Sequence, residues 1–366
     1  MEFGVFSLAG VKRDPVTGVT PTEGERIDAI QTIARRADEL GLDVFALGER
    51  HKPHHVGSAP AVLLAAIAAQ TRQISLSTTS TLISINDPVR LAEEYATLQH
   101  LCHGRLDIAL GRSDTVAPSP WSAPELDLAL DLALENYHLL YRLWREEGVD
   151  WEGEFRAPLI DFTSTPRPLD GVPPYVWHTT SRFPEIADQA GFYGDGFFVS
   201  NLIAPMRRFA GLVADYRRAF EGYGHGRAEE AIVGLGGHVF VAKNSQDAME
   251  EFRPYFDASE VFAGLSLEEA VAGTSLAVGS SQQVIEKVLS FRETYGDYQR
   301  QLFWIDQAGL PLGTVMEQLD ILGTQIVPVL RREFESLRPA GVPSDPPKHA
   351  ELRVGQAVGR SVMENC

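Results

Sequence analysis

The stretch that most limits the fold is residues 73 to 113, QISLSTTSTLISINDPVRLAEEYATLQHLCHGRLDIALGRS. From Ile74 to Ser80 apolar side chains alternate with Ser and Thr, as on a half-buried strand. Asn86-Asp87-Pro88 ends that run and opens a helix, with Asp87 as its cap and Pro88 at the first helical position, where no amide hydrogen is needed. Leu91, Ala92, Tyr95, Leu98 and Cys102 then recur at helical spacing until His103-Gly104 stops the helix. Leu106 to Leu110 is a second short apolar run, with Gly111-Arg112-Ser113 at its carboxyl end. A strand, a helix and a strand within about forty residues form a unit whose strands pair in parallel.

The rest of the chain repeats the alternation. Glu2 to Leu8 reads as a strand, and Thr22 and Glu25 have the spacing of a capping box, predicting a helix to about Leu40 that Gly41 ends. Asp43 to Gly48 is a strand leading into Glu49-Arg50-His51, and Pro60 to Gln70 is a helix. A long helix is predicted over Ala123 to Glu147, followed by Trp151 to Pro174, whose Pro and Gly content argues against regular structure. Strands at Tyr175 to His178, Asp195 to Asn201 and Ala231 to Ala242 are separated by helices at Pro184 to Ala190 and Pro205 to Tyr223. A helix opens at Ser245, an irregular insertion runs from Phe256 to Gly279, and Ser281 to Tyr295, Gln299 to Asp306 and Pro311 to Leu337 read as helix, strand and helix. Eight strands alternating with helices over residues 1 to 338 predict an α/β fold closed into a (β/α)₈ TIM barrel with insertions. A doubly wound open sheet is the alternative, weakened because no Gly-x-Gly-x-x-Gly follows an early strand. Residues 339 to 366, Pro-rich and then short-patterned, are expected to form a mobile tail.

Composition excludes several classes of partner. Asp and Glu outnumber Lys and Arg by 50 to 32, a formal charge of −18, and no basic run is interleaved with aromatics, so nucleic acid is not expected as a partner. No apolar run approaches the roughly 20 residues of a membrane span, and MEFGVFSLAG lacks the basic flank of a secretory signal, so the expected location is the cytoplasm. Cys102 and Cys366 are the only cysteines, too few for a disulfide framework or a thiolate metal site.

In a barrel of this kind the chemistry sits at the carboxyl ends of the strands. That rule selects Glu49, Arg50 and His51, then Thr79 and Ser80, Gly111, Arg112 and Ser113, His178, Thr179, Thr180 and Ser181, Ser200 and Asn201, and Asp306. Hydroxyls and amides at Thr179 to Ser181, just before the helix at Pro184, suit a phosphate, with Arg112 as a charged partner; the alternative is that they merely cap that helix. Glu49 and His51 form either an acid-base pair or a solvated loop end. His51, His54 and His55 do not match a zinc motif, and no metal is expected.

The segment TTSTLISINDPVRLAEEYATLQHLCHGRLDIALGRS resembles the block shared by bacterial luciferase-like flavin monooxygenases, as do WEGEFRAPL, FTSTPRPLDGVPPYVWH, EIADQAGFYGDGFF and QLDILGTQIVPVLRREF. The resemblance, over about residues 1 to 338, implies the same barrel, reduced FMN supplied by a separate flavin reductase or the related deazaflavin, a small organic substrate, and a homodimer through the early helices. It places Thr79-Ser80 where the family carries a non-prolyl cis peptide behind the flavin ring, Arg112 near the flavin phosphate, and Thr179, Thr180 and Ser181 on the phosphate turn, with Gly111 and His178 flanking them. Glu49, Arg50 and His51 fall where substrate and oxygen chemistry are controlled. Two departures stand out: Glu49-Arg50-His51 replaces the family's Glu-His-His, and Gly111-Arg112-Ser113-Asp114 replaces Gly-Arg-Gly. An imidazole shuttles protons near neutral pH and a guanidinium does not. Three readings follow: a two-component FMN monooxygenase, a deazaflavin-dependent hydride-transfer enzyme, or a barrel that has lost its flavin and acts as a partner subunit or in different chemistry.

Overall fold

The structure is a computed structural model that describes residues 1–112, 126–199, 201–202, 204–259 and 261–354. The first half of the chain runs β1 (Glu2–Ser7), α1 (Glu23–Glu39), β2 (Val44–Leu47), α2 (Pro60–Ala68), β3 (Ser75–Thr78), β4 (Thr81–Leu82), α3 (Pro88–Leu101), β5 (Asp107–Gly111), α4 (Leu126–Arg145), β6 (Val149–Trp151) and β7 (Leu159–Phe162). The second half runs β8 (Tyr175–Thr180), α5 (Pro184–Tyr193), β9 (Gly196–Val199), α6 (Arg207–Gly222), β10 (Val233–Val241), α7 (Ser245–Asp257), α8 (Leu267–Gly273), β11 (Leu276–Gly279), α9 (Ser281–Tyr295), β12 (Arg300–Trp304), α10 (Leu312–Ile321) and α11 (Val327–Leu337).

The wall is the parallel series β3-β2-β1-β12-β10-β9-β8-β5. A parallel bridge from Leu76 to Leu106 and the Thr78 hydroxyl, which donates to the Ala109 carbonyl at 2.9 Å, join β3 to β5 and bring the sheet round on itself. These are the eight predicted strands, so the barrel expectation holds. The predicted caps hold too: Thr22 and Glu25 form the capping box of α1, and Asp87 accepts the Val89 amide at the start of α3. Inside the wall Phe6, Ala46, Ala109, Trp177, Phe198 and Leu302 make an apolar layer. Beneath it Arg300 donates to Glu2 at 2.7 Å and to Asp107 at 2.9 and 2.6 Å. Burial opposes the Arg300 charge, but the two carboxylates outweigh it and hold the guanidinium pKa above its ordinary value.

Three local expectations are corrected. The segment 151–174 is not irregular throughout: β6 and β7 pair as an antiparallel hairpin, with Val149 and Trp151 buried. Within the insertion 256–279, Ser266 and Glu269 cap α8, and β11 adds in parallel to the far half of β10. The closing helix is interrupted by a π-turn at Leu322–Ile326. Pro328 has no amide hydrogen for the preceding turn, which is reason enough for the interruption. Of the tail, residues 339–354 lie on the amino-end face, where Lys348 pairs with Glu2 at 2.7 Å and Gln99 meets His349 at 3.3 Å.

Candidate functional site

At the carboxyl ends of β2 and β3 the organising group is Glu49, which is 2% exposed. Burying a carboxylate is costly unless donors replace its water. Here the Leu82 amide donates to it at 2.8 Å, Asn86 Nδ2 at 3.0 and 3.2 Å, and His51 Nε2 at 2.7 Å. In this contact the carboxylate oxygen accepts and the His51 Nε2–H donates. Glu49 and His51 are thus hydrogen-bonded to one another, and Glu49 is buried and not solvated. The Arg50 guanidinium folds back on its own backbone, donating to the Glu49 carbonyl at 2.9 Å.

The Thr79–Ser80 peptide is cis, as the resemblance implies. The Glu49 amide donates to the Ser80 carbonyl at 3.1 Å, which ties the end of β2 to this turn. Gly111 abuts the turn from β5: a Cβ there would collide with Ser80 Oγ and lie 3.1 Å from Thr179 Cγ2. The segments near residues 49, 80, 111 and 179, scattered in sequence, therefore meet at one end of the barrel.

The β8 turn divides its residues between two tasks. Thr180 Oγ1 accepts the amides of Arg182 at 3.2 Å and Phe183 at 3.0 Å and so closes the turn that leads into α5, but it does not cap the helix as the plainer sequence reading has it: the N-cap is Phe183, with no side-chain cap bond. The Arg112 guanidinium lies 3.8 Å from the Phe183 ring centre, and Arg182 approaches the same ring at 5.7 Å. Ser181 is half-buried beside them. The side chain of His178 faces the helix layer: its Nε2 donates to Asp195 at 3.0 Å, the Tyr137 hydroxyl donates to the same oxygen, and the Tyr137 ring stands edge-on at 4.4 Å. Burial and the Asp195 charge push the Tyr137 hydroxyl pKa well up. A crevice lined by Gly111, Arg112, Tyr137, His178, Thr179 and Gln189 separates β5 and β8 from α4 and α5. Ser113 and Asp114, the second sequence departure, and Ser200 lie outside the described residues.

Sequence reasoning missed three groups around the same end. Asn86 was read only as part of a helix start, yet it donates to Glu49. Arg26 of α1, which the sequence did not single out, pairs with the strand-end candidate Asp306, whose other oxygen takes the Trp304 indole at 3.0 Å. His238 is fully buried between Leu202 O at 2.9 Å and Gln307 at 2.7 Å, with Trp304 and Phe262 rings against it. Strand alternation could have found it, since in VGLGGHVFV it shares the inward parity of Gly234 and Gly236. Among the described residues no set of three His, Cys, Asp or Glu side chains is placed to hold a metal ion, and no helix is long and apolar enough to cross a membrane.

Comparison with known proteins bears on this geometry. The profile of one family, luciferase-like monooxygenase, matches residues 1–298. The chain is 25% identical over 341 residues to the flavin-dependent trigonelline monooxygenase, oxygenase component, of Acinetobacter baylyi, covering 84% of this chain and 91% of that one. It is 31% identical over 178 residues to the F420-dependent glucose-6-phosphate dehydrogenase of Intrasporangium calvum, a match that covers 45% of this chain and spans only 52% of the dehydrogenase. Among solved structures, monooxygenase RslO1 from Streptomyces bottropensis superposes with a TM-score of 0.78 at 25% identity, covering 90% of this chain and 99% of that one.

Proposed function

This chain belongs to the luciferase-like monooxygenase family, and we propose that it is the oxygenase half of a two-component monooxygenase, using reduced FMN from a separate flavin reductase and O₂ to oxidise a small organic substrate. The observation that carries this reading is the convergence of Glu49–His51, the Thr79–Ser80 turn, Gly111 and the Arg112–Arg182 cations on one barrel mouth. The donor set suits a flat ring with a phosphate tail: a turn and a glycine keep side chains away at the centre, and cations with the Thr179 and Ser181 hydroxyls stand to one side. The match to the trigonelline oxygenase component along nearly its whole length supports the oxygenase reading and the reductase partner.

Thr79, Ser80 and Gly111 would back the ring, and Arg112, Thr179 and Ser181 would hold the phosphate, with Thr180 keeping the turn in shape. His178 is assigned a supporting part, fixing β8 against α4 through Asp195 and Tyr137. When bound, reduced flavin supplies the electrons that activate oxygen. The protein binds, orients and excludes water, and Glu49 fixes the position of the His51 ring beside the substrate's place. Arg50 supplies a fixed positive charge in place of a second imidazole.

A second reading, hydride transfer with the deazaflavin, is favoured by the 31% identity to the F420-dependent dehydrogenase. Anaerobic fluorescence titration of the purified protein with reduced FMN and, separately, with the reduced deazaflavin distinguishes them. Tight FMN binding is expected; binding of the deazaflavin alone would move the function to the second reading, and binding of neither would end both.

A further inference from the structure

The described part of the mouth gathers cations at two places. One is Arg112 and Arg182 at the ends of β5 and β8. The other lies on the loops after β1 and β2, which are laced together: Gly10 and His55 form an antiparallel bridge, the Val11 amide donates to the His54 carbonyl at 2.7 Å, and the Val56 amide donates to the Ala9 carbonyl at 2.9 Å. Lys12, Arg50, Lys52, His54 and His55 stand on this lip. The Lys12 stem crosses Gly10 beside His55, because a Cβ built on Gly10 would lie 3.5 Å from Lys12 Cγ and 3.8 Å from His55 Nε2. Burial is the largest influence on the His55 imidazole and lowers its pKa, the bond of its Nδ1 to the Pro53 carbonyl at 3.3 Å opposes this, and the charges of Lys12, Arg50 and Lys52 add to the lowering. Neither Lys12 nor Lys52 forms an ion pair among the described residues.

In a chain of net charge −18 such a lip concentrates positive charge where self-repulsion disfavours it. An anion seated there relieves that repulsion. In the ring β1-β2-β3-β5-β8-β9-β10-β12, β1 and β8 are four strands apart in either direction, and β2 and β5 are two apart. The two places therefore lie on different parts of the rim, each with cations of its own.

We propose that the β1–β2 lip is a second anion site, which selects a substrate bearing a carboxylate or phosphate group and seats that group on a different part of the rim from the cofactor phosphate. The assignment of the second anion to the substrate rests on the flavin reading above; the lip as an anion site does not. Lys12 and Lys52 provide charge at its rim, and His55 takes up a proton as the anion arrives.

The test is an NMR titration of the full chain with benzoate and with inorganic phosphate, each with and without FMN, following the His55 ring resonance assigned by His55→Gln. Either probe should raise the His55 titration midpoint, and the one that binds more tightly identifies the recognised group. The exposed double substitution Lys12→Gln with Lys52→Gln should weaken probe binding by about tenfold or more while leaving FMN affinity within about twofold. A silent His55 resonance with both probes, equal probe affinity in the double variant, or displacement of FMN by the probe would each overturn the proposal. If FMN fails to bind but the probes still move His55, the flavin reading falls and the lip stands.

Discussion

Glu49 and His238 show how single residues carry this site. Glu49 gathers an amide, a carboxamide and an imidazole on two oxygens, and its partners Leu82 and Asn86 come from 33 and 37 residues away. The sequence places Glu49 at a strand end, where chemistry belongs, but nothing local in it names those partners. Spacing reveals neighbours on one element and is silent about contacts that only closure of the barrel creates. His238 makes the same point from the other side, as a lone histidine in a glycine-rich strand whose environment arises from Leu202, Phe262, Trp304 and Gln307. Burial holds its pKa below the ordinary 6.5, against the raising effect of the Gln307 and Leu202 hydrogen bonds. A histidine whose folded pKa is depressed is neutral in both states above about 6.5, so it costs nothing there; below that, the unfolded chain takes up a proton that the folded one resists, and stability falls. Urea unfolding from about pH 7.5 to about pH 5.5 should therefore show a loss that His238→Gln reduces, approaching about 1.4 kcal/mol per pH unit below the unfolded pKa. An identical pH slope in the variant would contradict the assignment of a neutral, buried His238.

At the scale of the element, what was legible had a chemical signature in a short window. Thr22 with Glu25 and Asp87 with Pro88 announce helix starts, and both caps form. Left-handed His103, Gly104 and Gly41 mark the helix ends that the sequence predicts. The misses share a physical cause. The β6–β7 hairpin lies outside the barrel, so neither the alternation of strand and helix nor a fully buried apolar run advertises it, and Leu159–Phe162 is largely exposed. β11 borrows its partner from the overhanging half of β10, a consequence of that strand's length. The capping box at Ser266 and Glu269 could have revealed α8. Substituting Thr22→Ala removes the hydroxyl that accepts the Glu25 amide and should cost about 1 kcal/mol of stability by urea unfolding, with flavin affinity unchanged, because that hydroxyl bonds to Glu25 at an exposed helix start. A loss of flavin affinity to match would show that α1 is coupled to the site.

For the molecule as a whole, the count of eight alternating strands favours a barrel, and a barrel foresees which strand ends meet, though not which side chains pair there. It does not foresee how the surface is used. α2 is apolar all round: Pro60, Leu64, Ile67 and Ala68 face the core, while Val62 is 69% exposed and Ala66 lies outward with it. On the proposal of a homodimer through the early helices, which the resemblance implies, this apolar face is the one a second copy would cover. Light scattering should show a dimer for the parent chain and a monomer for Val62→Glu; a monomeric parent would remove the proposal. On the proposed reading, the ends of β2, β3, β5 and β8 surround one flavin. A crystal structure of the protein grown with FMN tests it most directly. The predicted result is the ring lying against Thr79, Ser80 and Gly111 with its phosphate beside Arg112 and Ser181; a flavin bound elsewhere, or Arg50 occupying the ring's place, would contradict it.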